Sequence, residues 1–289
     1  MRMWWYRLRR KYPPLNRVIR LIKQVSRHFQ RFLGRSAHPA LLANSFPKSG
    51  THLLTQIFES FPGARSFSSF LATTPPLFFH ERSDNEIRRL IQWIVPGEIV
   101  GAHLHYTSAR ADLLEQRGVV PYLIYRDLRD VAASEAHYLT YMNRWHRVHR
   151  YLVRRLSDDG ERLMTVIKGI PSGAVPYSYP DIASRFKPFL GWFDDPRCCT
   201  VRYEDLMSGR RDETLLRMID HYAAQRNIEM DREELLQRIH ESIQPEKSRT
   251  WSGRATGWRD RFTREHVDAM KEVAGELLIQ LGYERTRDW

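Results

Sequence analysis

Apolar residues recur at helical spacing early in the chain. Leu15, Val18, Ile19, Ile22, Val25, Phe29 and Phe32 fall on one face, with Arg17, Arg20, Lys23, Arg27 and Arg31 largely away from it. Pro13-Pro14 precede this predicted helix and Gly34 ends it. From Pro39 onward the pattern changes to strand, loop and helix. Pro39 to Phe46 predicts a short strand, and Leu53, Leu54, Ile57, Phe58 and Phe61 then repeat at helical spacing. Glu98 to Tyr106 (EIVGAHLHY) and Val119 to Tyr125 (VVPYLIY) read as buried strands. A helix through Val131, Ala132, Ser134 and His137 follows the second. Cys198 to Tyr203 predicts another strand. Val267, Met270, Ala274, Leu277, Leu278 and Leu281 mark a last helix that Thr263 can cap. Strands alternating with helices predict an α/β three-layer sandwich around a central parallel sheet.

Charge divides this frame in two. The 289 residues carry a net charge of +12, but the first 44 hold eleven Lys or Arg and no Asp or Glu, which leaves +1 for the rest. The basic character therefore belongs to an arm, residues 1–38, and not to the body, residues 39–289, so no nucleic-acid partner is expected. The arm allows three readings: a packed or solvated helix, a membrane-surface helix, and an Arg-rich transit peptide, although serine is scarce. The second would make peripheral contact with an anionic membrane through residues 1–33, helped by Trp4, Trp5 and Tyr6. No apolar run approaches the ~20 residues of a membrane span. The adjacent Cys198 and Cys199 make a poor staple, which fits a reducing, cytoplasmic compartment.

Two clusters carry candidate chemistry. In NSFPKSGTHLL, residues 44–54, a strand enters a tight turn and then a helix, which presents free backbone N–H groups. Gly50 lets the backbone approach a ligand, Ser49 and Thr51 add hydroxyls, and Lys48 adds charge: an anion cradle. The lysine precedes the glycine, unlike the G-K-[ST] order of a triphosphate loop. The second cluster is YRDLRDVAAS, with Arg126 at a strand's carboxyl end, where open α/β sheets bind ligands. Its structural alternative is an ion pair with Asp127, Asp130 or Glu135. Clustered metal ligands are lacking, so no metal is expected.

Together the clusters resemble the sulfotransferases that use 3′-phosphoadenosine 5′-phosphosulfate. Phe46 to Thr51 matches the family's [FY]-P-K-[SA]-G-[TS], and Arg126 to Ser134 matches R-[DN]-x-x-D-x-x-x-S. The resemblance spans roughly residues 40–283 and implies a P-loop-like sulfotransferase architecture. It further implies that backbone groups of Ser49, Gly50, Thr51 and His52 hold the 5′-phosphate and that Lys48 reaches the bridging oxygen. Arg126 and Ser134 would hold the 3′-phosphate, and Tyr203 would lie near the adenine. The family's base matches His103 in GAHLHY; His105, two residues on, faces the same side of a strand.

The third family segment, F-R-K-G-x-x-G-x-W, is only partly kept in TWSGRATGW. Gly253 keeps its spacing to Trp258, Ser252 stands where the Arg-Lys pair is reduced, and Arg249 or Arg254 are the candidate substitutes. Gly101 occupies a position where many relatives carry lysine. The implied activity is sulfuryl transfer to a hydroxyl or amine of a small-molecule or glycan acceptor. Two alternatives stand beside it: a weak or inactive nucleotide-binding scaffold, and a kinase-like P-loop phosphotransferase. Residues 64–98 and 138–195 are expected to shape the acceptor pocket with Phe67, Phe70, Phe78, Phe79, Tyr138, Tyr141 and Trp145.

Overall fold

The computed structural model describes residues 38–75, 80–226, 230–243 and 257–289, together with Val25. The predicted arm helix, apart from Val25, and Phe78, Phe79, Ser252, Gly253 and Arg254 lie outside these described residues. Five strands form one sheet: β1 Ala40–Ser45, β2 Arg65–Ala72, β3 Glu98–His103, β4 Val119–Tyr125 and β5 Cys199–Arg202. Their order is β2-β3-β1-β4-β5 and every pairing is parallel. The three-layer prediction therefore holds.

The helices are α1 Thr51–Phe58, α2 Asp84–Gln92, α3 Ser108–Gln116, α4 Leu128–His137, α5 His149–Arg155 and α6 Asp159–Lys168. After them come α7 Ile182–Phe186, α8 Gly191–Asp194, α9 Tyr203–Leu206, α10 Arg211–Arg226, α11 Arg232–Ser242 and α12 Arg264–Gln280. A π-helical turn, Tyr138–Met142, extends α4. Strand periodicity feeds two separate cores. Leu42, Val100 and Leu123 face α4, α6, α7 and α12, whereas Leu41, Ile99 and Ile124 face α1, α10 and α11. This explains why β1, β3 and β4 are continuous apolar runs: both faces are covered.

Strand β2 lies in residues 64–98, which the sequence marks only as shaping the acceptor pocket and for which it predicts no strand. Its alternation is broken: the register shifts between Ser66 and Phe70, and Ser68 lies at φ 62°. It is also an edge strand, with Arg65, Ser68 and Phe70 exposed, so its apolar signal is weak. Strand β3 stops at His103, short of the predicted Tyr106. Asn44 explains the stop, since its Nδ2 donates to the Leu104 carbonyl (3.0 Å) and its Oδ1 accepts from the Leu104 N–H (2.8 Å). Trp192 Nε1 donates to the same carbonyl at 2.9 Å. Cys198 and Cys199 are free thiols. Among the described residues, no helix is long and apolar enough to cross a membrane.

Candidate active site

Register aligns the carboxyl ends of the strands. Ser45 lies beside Ile124, Ala72 beside His103, and Tyr125 beside Arg202. A cleft of about 520 Å³ opens along this edge, lined by Lys48, Gly50, Thr51, His52, His103, His105, Arg126, Ser134 and Tyr203 among others. The sequence-predicted residues that are described thus meet in one place, apart from Ser49, which is buried.

The turn after β1 is built by two left-handed residues, Lys48 at φ 68° and Gly50 at φ 115°. Glycine is required at position 50 on two counts. The backbone there disfavours a side chain, and an added Cβ would lie 2.9 Å from the Tyr203 ring. Gly50 also caps α1 without any side-chain hydrogen bond, so the first N–H groups of that helix have no intrahelical partner and no cap. The Ser49 N–H is occupied by the Phe46 carbonyl at 3.2 Å. Its hydroxyl, by contrast, is buried with no hydrogen-bond partner. A buried, unsatisfied donor beside uncapped amides is what an anion would complete.

Lys48 projects over the Tyr138 ring, with Nζ 4.2 Å from the centroid. Burial lowers its ammonium pKa to about 8; the Glu135 carboxylate opposes that shift and Arg126 adds to it. Arg126 lies over the Tyr203 ring at 4.5 Å. Tyr203 is the first residue of α9, is buried, and fills the space between Arg126 and Gly50. Its ring therefore supports both the loop and the arginine.

Of the three carboxylates weighed as partners for Arg126, Asp127 and Glu135 pair with other arginines, whereas Asp130 lies within reach of the Arg126 charge. Asp127 makes a bidentate pair with Arg129, whose guanidinium lies 4.4 Å from both the Trp258 and Trp289 rings. Glu135 pairs with Arg185 at 2.8 Å. Asp130 accepts from the N–H groups of Gly257 (2.7 Å) and Trp258 (2.9 Å). Asp130 thus ties the second motif to the end of the third segment, a role that motif spacing could have suggested. Arg185 had no such signal, because its partner lies fifty residues away in sequence.

At the other side of the cleft, His103 Nδ1 is 2.8 Å from the Ser45 carbonyl oxygen. A carbonyl only accepts, so Nδ1 carries the proton and Nε2 holds the lone pair. Burial pushes the imidazole down to about 4, although the Ser45 bond favours its charged form, so the ring is neutral near pH 7. Phe70 meets it edge-on at 4.9 Å. Gly101 faces the same ring: a Cβ there would lie 2.9 Å from Phe70. A lysine at 101 would displace the phenyl group that packs on His103. His105 also lines the cleft, with its ring against Phe189 at 5.1 Å and Nδ1 3.8 Å from Glu81.

From the expected acceptor segments, Phe70, Tyr138, Leu139 and Phe189 reach the cleft. Phe67 is buried, while Tyr141 and Trp145 face outward at 51% and 86% exposure. Local apolarity did not distinguish these fates.

An anion cradle and a neutral imidazole in one cleft suit movement of an anionic group onto a proton-bearing acceptor, which makes the class a transferase. The chain belongs to the sulfotransferase family: the model of the sulfotransferase domain matches residues 38–282. No curated protein matches at the sequence level. Among solved structures, mouse sulfotransferase SULT7A1 complexed with PAP is similar, with 18% identity and a TM-score of 0.54, covering 84% of this chain and 85% of that one. Retinol dehydratase with androsterone and inactive cofactor PAP aligns at 16% identity and TM-score 0.54, covering 83% and 80%. Its complex with retinol and PAP gives 17% and 0.51, covering 83% and 82%. At these identities the likeness carries the fold.

Proposed function

We propose that the chain transfers a sulfuryl group from 3′-phosphoadenosine 5′-phosphosulfate to an acceptor hydroxyl or amine, with residues 39–289 as the catalytic domain and 1–38 as an arm. The observation that carries the reading is the His103–Ser45 bond, which leaves Nε2 as a base in the cleft that also holds Lys48. The sulfonucleotide supplies the sulfuryl group. In this reading the N–H groups of Gly50, Thr51 and His52 hold its 5′-phosphate. Support comes from the uncapped start of α1, whose first residues line the cleft. Arg126 and Ser134 hold the 3′-phosphate, Arg126 through its planar fork. Tyr203 orients Arg126.

His103 Nε2 takes the acceptor proton, and the Lys48 ammonium stabilises negative charge on the departing bridging oxygen. Little covalent help is needed beyond alignment. Phe46, Phe70, Tyr138, Leu139 and Phe189 wall the cleft, which favours an apolar small-molecule alcohol over a glycan. The neighbouring retinol dehydratase structures hold such ligands, androsterone and retinol.

A thermal-shift titration tests the nucleotide assignment. Adenosine 3′,5′-bisphosphate at ~100 times its dissociation constant should stabilise the protein by ~2.7 kcal/mol, and ATP with magnesium should not. A shift with magnesium-ATP alone would replace this reading with a kinase-like one. Binding without transfer of labelled sulfur would leave a scaffold.

A further inference from the structure

We infer that the rim of the cleft formed by the π-helical turn, the loop after it and α5 docks on an anionic lipid bilayer. Residues 136–157 contain five arginines and no Asp or Glu. Of these, Arg144, Arg150, Arg154 and Arg155 are exposed, while Arg147 lines the cleft. Large apolar side chains stand exposed among them: Trp145 at 86%, Met142 at 42% and Val153 at 38%. Solvent exposure of a tryptophan ring to this extent, within a basic segment, is the composition of an interfacial anchor. The ring enters the headgroup boundary while the guanidinium groups meet lipid phosphates.

The segment is built to keep this face outward. His149 Nδ1 donates to the Leu139 carbonyl at 2.8 Å, Tyr177 donates to the Arg147 carbonyl at 2.9 Å, and Asn143 donates to the Tyr138 hydroxyl at 3.0 Å. Leu152 and Val148 are fully buried beneath it. The nearest carboxylates in sequence are already engaged. Asp158 accepts from the Glu161 N–H, and Asp159 accepts from Tyr141 and Arg162. They therefore do not neutralise the arginines of the rim one for one.

A soluble polyanion would satisfy the arginines but leave Trp145, Met142 and Val153 in water. A bilayer surface accommodates both groups, which decides between them. The rim adjoins the cleft directly, since Tyr138, Leu139, Asn143 and His146 line it. Docking there would bring the cleft mouth close to the membrane surface.

The test is co-flotation of the full chain with phosphatidylcholine vesicles, with and without phosphatidylserine, at moderate ionic strength. The comparison is a variant combining Trp145→Ser with Arg144→Gln, Arg150→Gln and Arg154→Gln. These positions are exposed, so the variant should keep its thermal midpoint and its response to adenosine 3′,5′-bisphosphate. The wild type should float with the anionic vesicles, and the variant should lose at least about tenfold in partitioning. Equal flotation of the variant would overturn the proposal and assign any binding to another part of the chain. Equal flotation of the wild type on phosphatidylcholine alone would also overturn it. So would retention on heparin, lost in the variant, without vesicle binding. None of these readouts involves sulfuryl transfer, so they stand apart from the test of the enzyme reading.

Discussion

His103 Nδ1 lies 2.8 Å from the carbonyl oxygen of Ser45, the last residue of the neighbouring strand β1. That single contact fixes the tautomer, with the proton on Nδ1 and the lone pair on Nε2. It also links the candidate base to the strand that delivers the phosphate loop. Asn44, one residue earlier, grips both backbone groups of Leu104, so the base is clamped from both sides of the strand end.

Replacing Asn44 with alanine should test that clamp. The substitution strands the buried N–H of Leu104, whose carbonyl keeps the Trp192 donor, at a cost of about 1–3 kcal/mol. Turnover should fall more than nucleotide affinity, because the loop backbone is untouched while the base is released. Equal losses in both, measured by steady-state kinetics and a bisphosphate titration, would mean the contact is purely structural.

The pH dependence should be asymmetric. His103, lowered to about 4, stays a base down to that pH, whereas Lys48, lowered to about 8, begins to lose its proton just above neutrality. We expect kcat/KM for the sulfonucleotide to be flat in acid and to decline through about pH 8. In kcat the decline should move to higher pH, because bound phosphate favours the ammonium form. Stability changes in the opposite sense. Both groups bind fewer protons folded than unfolded, so raising the pH from about 4 to 6.5, and again from about 8 to 10.5, should stabilise the fold. A Lys48→Arg variant that keeps the alkaline limb would remove Lys48 as its source.

Asp130→Ala should weaken nucleotide binding without altering the acceptor KM. The carboxylate holds the Gly257 and Trp258 N–H groups, and losing it leaves two donors unpaired at about 1–3 kcal/mol each. Isothermal titration with adenosine 3′,5′-bisphosphate reads the effect. Unchanged affinity would show that the third segment plays no part in holding the nucleotide.

Gly50→Ala should be harmful to the fold and to binding together. The added methyl group meets Tyr203 at 2.9 Å in a left-handed conformation, and such strain costs about 1–3 kcal/mol. The thermal midpoint should drop and the bisphosphate shift should vanish. Retention of both would contradict the cradle geometry.

Much of this was legible in the chain because the informative residues are local in sequence. The phosphate loop, Arg126 with Ser134, and GAHLHY each combine a strand end with functional residues, and parallel topology then brings the strand ends together. What was not legible depended on distant partners or broken patterns. Strand β2 is hidden by a bulge at Ser68 and by edge exposure. The Glu135–Arg185 pair joins α4 to α7, and neither residue announces the other. Trp145 and Phe67 look alike as aromatic residues of the acceptor segments, yet one is solvent-facing and the other is core. Burial of that kind is decided by tertiary packing, which the composition of a short window does not encode.

We propose that this sulfotransferase uses His103 as its base. Single-turnover transfer of labelled sulfur from 3′-phosphoadenosine 5′-phosphosulfate, comparing wild type with His103→Ala and His105→Ala, measures it most directly. The expected result is a loss of about 10²–10⁴-fold in the chemical step for His103→Ala, with bisphosphate affinity retained and His105→Ala much closer to wild type. Wild-type transfer by His103→Ala, or the large loss appearing in His105→Ala instead, would contradict it.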